Sequence, residues 1–242
     1  MQVSRRAVRW ATGAAIVVAL GAIAVGVTLS PIFAADRVVV RGVHHLSAEQ
    51  VRRVSGLSVG TNVLYAGLEP AMARLEANGW VADATAHRAL PAAIIIDVRE
   101  RTPVGRGTIE GRNAVVMADG TVLVGSWVPG LPRLIGAVGS GSSPSFSQAA
   151  AALGALRRSV LDRVSTVTIR PDGSLALQLQ RGIAVTYGPP IEVEEKGRAL
   201  TELLAWADEL GARVSTLDVT VPQAPTARLG HGSPVSPLTG GP

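Results

Sequence analysis

Few side chains in this chain have the type and spacing to do chemistry. His44 and His45 are adjacent, Glu192, Glu194 and Glu195 cluster, and Lys196 is the single lysine. A catalytic site needs a nucleophile with its base, a metal cluster, or paired carboxylates on one surface. Cysteine is absent, which removes thiolate nucleophiles, thiolate metal sites and disulfides. Successive side chains of a strand point to opposite faces, so His44 and His45 cannot readily share a metal and are expected at the surface. The glutamates fall where a helix begins, and negative charge there complements the helix dipole. Lys196 sits less comfortably at such a start, and it reads either as a solvated lysine or as one arm of a salt bridge, within its domain or to a partner. Gly105, Gly107 and Gly111 approach a phosphate loop but lack its spacing and its strand–helix context, so a plain loop is expected. G-x-S-x-G, H-E-x-x-H and G-x-x-x-x-G-K-[ST] do not occur. No catalytic, metal or cofactor residue is assigned, and the chain reads as non-enzymatic.

The elements that would hold these residues begin with an apolar run. Arg5, Arg6 and Arg9 precede Ala11–Ala35, a stretch of 25 residues without charge. A bilayer core is crossed by about 20 helical residues, and a cleavable secretory core is shorter, about 7–15. Phe33 or Ile32 at position −3 would also make a poor cleavage site. The expectation is a single transmembrane helix over 11–35, with residues 1–10 kept inside by the three arginines and the bulk of the chain outside. Those arginines account for much of the net charge of +5; from Asp36 onward 20 cations face 18 acids. That balance argues against a nucleic-acid face.

Val38–Val43 reads as a strand. Ser47 and Gln50 form a capping box, Leu46 and Val51 occupy the hydrophobic-staple positions, and Gly56 stops the short helix. Leu68, Ala71, Met72 and Leu75 mark one face of a second helix, with Pro70 in its first turn and Gly79 beyond its end. Trp80–His87 is a second strand, with Trp80 read as core packing in preference to an interface anchor. Ile94, Ile96 and Val98 alternate with Ile95, Asp97 and Arg99 in a third, which Pro103 closes. The order is β-α-α-β-β, two helices on one face of a small sheet.

In the second half, Asp119-Gly120 joins the apolar runs of Val115–Val124 into a hairpin. Gly139–Ser147 reads as a loop, and a helix follows from Gln148 with Leu153, Leu156 and Val160 on one face. Strands are expected at Val164–Arg170, Leu175–Gln180 and Ile183–Gly188, a long helix over Val193–Leu210, and a last strand over Val214–Val221. From Pro222 the composition, rich in Pro and Gly, predicts a disordered tail over 222–242.

These pieces resemble the FtsQ/DivIB family of bacterial cell-division proteins. "VVVRGVHHLSAEQV", "GLSVGTNVL" and "LEANGWVADATAHRALPAAIIIDVRERTPVG" are similar to its POTRA domain, through a Val-x-Gly strand end, a Gly-x-Asn loop (Gly60, Asn62), a Trp-Val pair (Trp80, Val81) and Glu-Arg-x-Pro (Glu100, Arg101, Pro103). "LPRLIG", "DGSLALQLQRGIAVTYG", Lys196 and "STLDVTVP" are similar to its β domain. Several members carry an arginine two places after the strand aspartate, where this chain has Thr220, so a contact made by that arginine does not carry over.

The resemblance implies an α+β chain: a single N-terminal transmembrane helix, a POTRA domain over 36–103, a mixed β domain with flanking helices over 104–221, then the tail. It implies a bitopic protein of the cell membrane, concentrated at the division septum, that binds other division membrane proteins. The implied partners are FtsB/DivIC-like and FtsL-like coiled-coil proteins and, through them, the septal peptidoglycan synthase, with no nucleic acid or small-molecule substrate. A POTRA chaperone module of membrane-protein assembly, or a secreted cell-wall protein, are the competing classes. A strand added last often lies at a sheet edge with unpaired backbone groups. Leu217, Asp218, Val219, Thr220 and Val221, together with Lys196, are therefore the expected partner-binding residues.

Overall fold

A computed structural model of the chain describes residues 5–136, 144–209, 211, 214–230 and 234–235. The chain divides into two compact units, Met1–Glu100 and Arg101–Pro242.

The uncharged run is not one helix. Helix α1 spans Arg5–Thr28, a 3-10 turn follows at Pro31–Phe33, and Ala34 bridges to Asn62. Ala35 is buried in the core of the first unit. Among the described residues no helix is long and apolar enough to cross a membrane. This overturns the expected transmembrane helix over 11–35 and the single-pass cell-membrane placement drawn from it; the backbone of Arg5, Arg6 and Arg9 opens α1. The end of α1 is tied to its own unit: Asn62 Nδ2 donates to the Thr28 carbonyl at 2.8 Å, and the Thr28 and Tyr65 hydroxyls lie 2.7 Å apart.

The first unit continues with β1 (Arg37–Arg41), α2 (Ala48–Ser55), α3 (Leu68–Glu76), β2 (Val81–Ala89) and β3 (Ala93–Glu100). The sheet order is β1-β3-β2, with β1 parallel and β2 antiparallel to β3. The expected capping box is present: Gln50 N–H donates to Ser47 Oγ, and Ser47 N–H to Gln50 Oε1. Gly56 ends α2 at φ 73°, where a side chain would be strained. Ile94, Ile96 and Val98 point into a core shared with Val51, Met72 and Leu75 of the helices.

Two motif residues have local physical causes. A Cβ on Gly42 (φ +78°) would lie 2.0 Å from the Val98 carbonyl oxygen, so the chain can leave β1 there only as glycine. The Glu100 carboxylate accepts from the backbone N–H of His44, His45 and Leu46 at 3.0, 2.8 and 2.9 Å. His45 Nδ1 stands 3.2 Å from the same carboxylate, and its ring stacks on Trp80 at 4.8 Å. Burial alone would push the Glu100 carboxyl up, but these donors together hold it below its usual value. The two histidines thus begin a loop wrapped around one carboxylate.

The second unit contains β4 (Pro103–Ile109), β5 (Arg112–Met117), β6 (Val122–Val124), β7 (Arg133–Gly136), α4 (Pro144–Gly154), α5 (Arg158–Leu161), β8 (Val164–Ile169), β9 (Leu175–Leu179), β10 (Ala184–Gly188), α6 (Val193–Glu209), β11 (Val214–Asp218), β12 (Thr226–Leu229) and β13 (Pro234–Val235). They form one ten-stranded sheet, ordered β13-β12-β11-β10-β9-β8-β7-β4-β5-β6. The β4/β7, β7/β8 and β10/β11 pairs are parallel and the rest antiparallel. Leu153 of α4 and Leu200 and Leu203 of α6 share a core with Val167, Leu177 and Tyr187 of the sheet.

Three expectations are corrected here. Gly105 and Gly107, read as a loop, lie inside β4; a Cβ on Gly105 would meet Leu134 Cδ1 at 2.1 Å, so glycine lets the next strand's side chain close on the backbone. The loop read over 139–147 gives way to α4 from Pro144, its earlier part lying outside the described residues. The chain after Pro222, read as disordered, returns as β12, antiparallel to β11; 231–233 and 236–242 lie outside the described residues.

Candidate partner-binding edge

The C-terminal part of the sheet is a β10-α6-β11 crossover followed by the β11–β12 return. β10 and β11 run parallel because a whole helix separates them, and parallel pairing requires such a connection. Val219 N–H extends the pairing by donating to the Thr186 carbonyl at 3.0 Å. Asp218 then turns the chain, its Oδ1 accepting from Thr220 N–H at 2.8 Å. Pro222 and Pro225 are buried in that return.

The five strand residues expected to bind a partner separate into two groups. Leu217 and Val219 are fully buried and belong to the core. Asp218 is half-buried, and Thr220 and Val221 are exposed in the turn. β11 is no edge strand, because it pairs with β10 on one side and β12 on the other. The edge position expected for this strand rested on order ending at Pro222, and β12 removes that premise.

Lys196 is not a solvated lysine, and among the described residues it forms no ion pair. It is 1% exposed in the first turn of α6, and its Nζ donates to the Pro189 carbonyl at 2.7 Å while lying 5.4 Å from the Tyr187 ring centroid. Burial pushes the ammonium down, and the carboxylates of Glu192 and Asp218 act against that shift. Tyr187 is pushed up by its own burial and by Glu194, and its hydroxyl donates to the Val193 carbonyl at 3.2 Å. Lys196 therefore ties the start of α6 to the segment leaving β10, beneath the β11 turn. Glu194 and Glu195 occupy the first turn of α6, and Glu195 pairs with Arg198 at 3.2 Å.

The free edge lies further out. β12 meets only β13 on its outer side, through Ala227↔Val235 and Arg228↔Pro234. Ser215 Oγ donates to the Arg228 carbonyl at 3.0 Å, which turns the Arg228 backbone toward β11 and, by alternation, that of Ala227 and Leu229 outward. Sequence reasoning missed β12; in "TARL" only Thr226 carries a strand preference, so the local signal was weak.

Comparison with known proteins places this architecture. Residues 33–101 match the model of the POTRA domain, FtsQ-type, and residues 108–220 that of the cell division protein FtsQ/DivIB C-terminal region. The cell division protein FtsQ of Mycobacterium leprae is 28% identical over 202 residues, covering 83% of this chain and 57% of that protein. FtsQ of Mycobacterium tuberculosis is 27% identical over 218 residues, covering 89% of this chain and 68% of that one. The chain thus spans little more than half of the first of these relatives. Among solved structures, the major extracytoplasmic domain of DivIB from Geobacillus stearothermophilus is similar at 14% identity and a TM-score of 0.35, over 46% of this chain and 95% of that one, too loosely to bear on the fold. Two FtsQ-type models in the family's order, one on each compact unit, make this chain a member of the FtsQ/DivIB family of non-catalytic cell-division proteins.

Proposed function

We propose that this cell-division protein works by holding other division proteins, and that the C-terminal edge of its large sheet receives an extended segment of one of them. The partners the family suggests are FtsB/DivIC-like and FtsL-like coiled-coil proteins and, through them, the septal peptidoglycan synthase. One observation carries the proposal: β12 is four residues long, and its outer side is covered by a two-residue strand that includes Pro234. A cover only two residues long makes few main-chain bonds and yields to a longer strand. Leu217, Val219 and Lys196 serve the edge from within by fixing β11 and α6, while Thr220 and Val221 flank it in the open turn.

The test separates the two sides of β12. Arg228→Pro removes a donor facing β11 and is expected to unfold the C-terminal part of the sheet. Leu229→Pro removes an outward donor and is expected to leave the fold intact while weakening capture of an FtsB/DivIC-like partner at least tenfold. A chain ending at Gly230, which lacks β13, is expected to bind at least as tightly as the full chain. Undiminished binding by a folded Leu229→Pro variant would move the interface elsewhere.

A further inference from the structure

The opposite half of the ten-stranded sheet carries a cleft that the partner edge does not use. On β4, Gly105 and Gly107 face Leu134, Leu153 and Phe146 of the core, so Arg106 and Thr108 project from the other face. Across the β4/β7 pairing Arg106 stands beside Arg133, and across the β4/β5 pairing Thr108 stands opposite Asn113. Trp127, 52% exposed, closes the side of this cleft of about 310 Å³.

Its cations are positioned but not neutralised. Arg106 Nε donates to the Leu131 carbonyl at 2.9 Å, and its guanidinium carbon lies 4.5 Å from the Trp127 ring centroid. That geometry fixes the plane of the fork through Nε and one face, leaving the Nη edge for an acceptor. No acidic residue lines the cleft, and among the described residues neither Arg106 nor Arg133 has a carboxylate within 4.0 Å. Two adjacent guanidinium groups without a counter-charge repel each other, and an anion between them relieves that repulsion.

The lining also restricts the size of the ligand. β4, β5 and β7 each have a neighbouring strand on both sides, β4 meeting β7 through Arg106↔Arg133, so the cleft offers no long open strand edge to an extended peptide. Recognition falls to side chains alone: a guanidinium pair, a hydroxyl, a carboxamide and an indole wall, in a volume that holds one or two sugar rings. We infer that this cleft binds a compact carboxylate-bearing sugar, with the carboxylate on Arg106 and Arg133, ring hydroxyls on Thr108 and Asn113, and an apolar ring face toward Trp127.

Glucuronate, glucose and a triglutamate peptide are titrated in turn into the ¹⁵N-labelled full chain, following the Trp127 indole and the amides of Thr108 and Asn113. Glucuronate is expected to shift these signals saturably, at least tenfold more tightly than glucose, with affinity falling as salt rises. Arg133→Gln, an exposed substitution, is expected to weaken glucuronate roughly tenfold or more with an unchanged thermal midpoint. If that variant loses its fold, Thr108→Val read against the same three ligands gives the answer. Glucose binding as well as glucuronate, tighter binding of triglutamate, or no saturable shift with any of them would each overturn the proposal.

Discussion

Replacing Glu100 by Gln probes the loop that closes the first unit, because one carboxylate there serves three backbone donors and a histidine ring. Its side chain is 6% exposed, so water cannot take over its role cheaply. Glutamine keeps the oxygen that His44 and Leu46 use, but it sets an NH2 donor against His45 N–H, which now approaches an acceptor at 2.8 Å. A hydrogen bond to a charged group contributes about 1.5–3 kcal/mol, so Glu100→Gln is expected to cost about 2 kcal/mol. With a urea dependence of roughly 1–2 kcal/mol per molar for a unit this small, the midpoint moves down by about 1–2 M. The assay is a urea titration of the full chain followed through the NMR amide signals of Ile94, Ile96 and Val98. The sign with pH follows from the lowered carboxyl: its contribution is complete above the unfolded value near 4.5 and is lost as pH falls through the folded value. Wild type and variant are therefore expected to differ fully at pH 7 and to converge in acid. A difference under about 0.5 kcal/mol at pH 7, or one that persists unchanged in acid, would refute the account of Glu100 as the anchor of this loop.

Gly42→Ala, which drives a methyl into the Val98 carbonyl and strains a positive φ, is expected to cost about 2 kcal/mol or more in the same titration, and wild-type stability would show that β1 and β3 do not meet there as described. Lys196→Ala leaves a cavity and an unpartnered Pro189 carbonyl, and is expected to cost about 2–5 kcal/mol on the amide signals of Leu200 and Leu203. Lys196→Met, which keeps most of the volume, is expected to lose less than half of that, and equal losses would mean that the Nζ bond, not packing, dominates.

Local signals in the sequence proved as good as their physics was local. The Ser47–Gln50 capping box, the left-handed Gly56 and the Asp119-Gly120 turn each act within a few residues, and each stands where it was read. The alternation of Ile94, Ile96 and Val98 was equally legible, since one face of β3 meets the helices and the other does not. β4 was not legible, because its glycines answer to Leu134 and Phe146, which arrive from distant parts of the chain. β12 hid for a related reason: Pro222 and Pro225 look like the end of order in isolation, yet both are buried in the return that brings the chain back to β11. The candidate edge was misplaced by one strand through that single misreading. Lys196 was found as an uncomfortable residue, but its burial beneath the β11 turn could not be foreseen without the crossover that covers it.

The position of β12 also bears on the order in which the protein is made. A ribosome delivers β12 after β4–β11, so until Thr226–Leu229 emerges the open edge belongs to β11, whose Leu217 is fully buried once β12 is in place. A chain clipped before Thr226 would present that incomplete edge in place of the finished one. A partner that grips only β12 would thereby distinguish molecules in which β12 has docked from those that expose β11, and assembly at this edge would double as a check on the folding of the sheet.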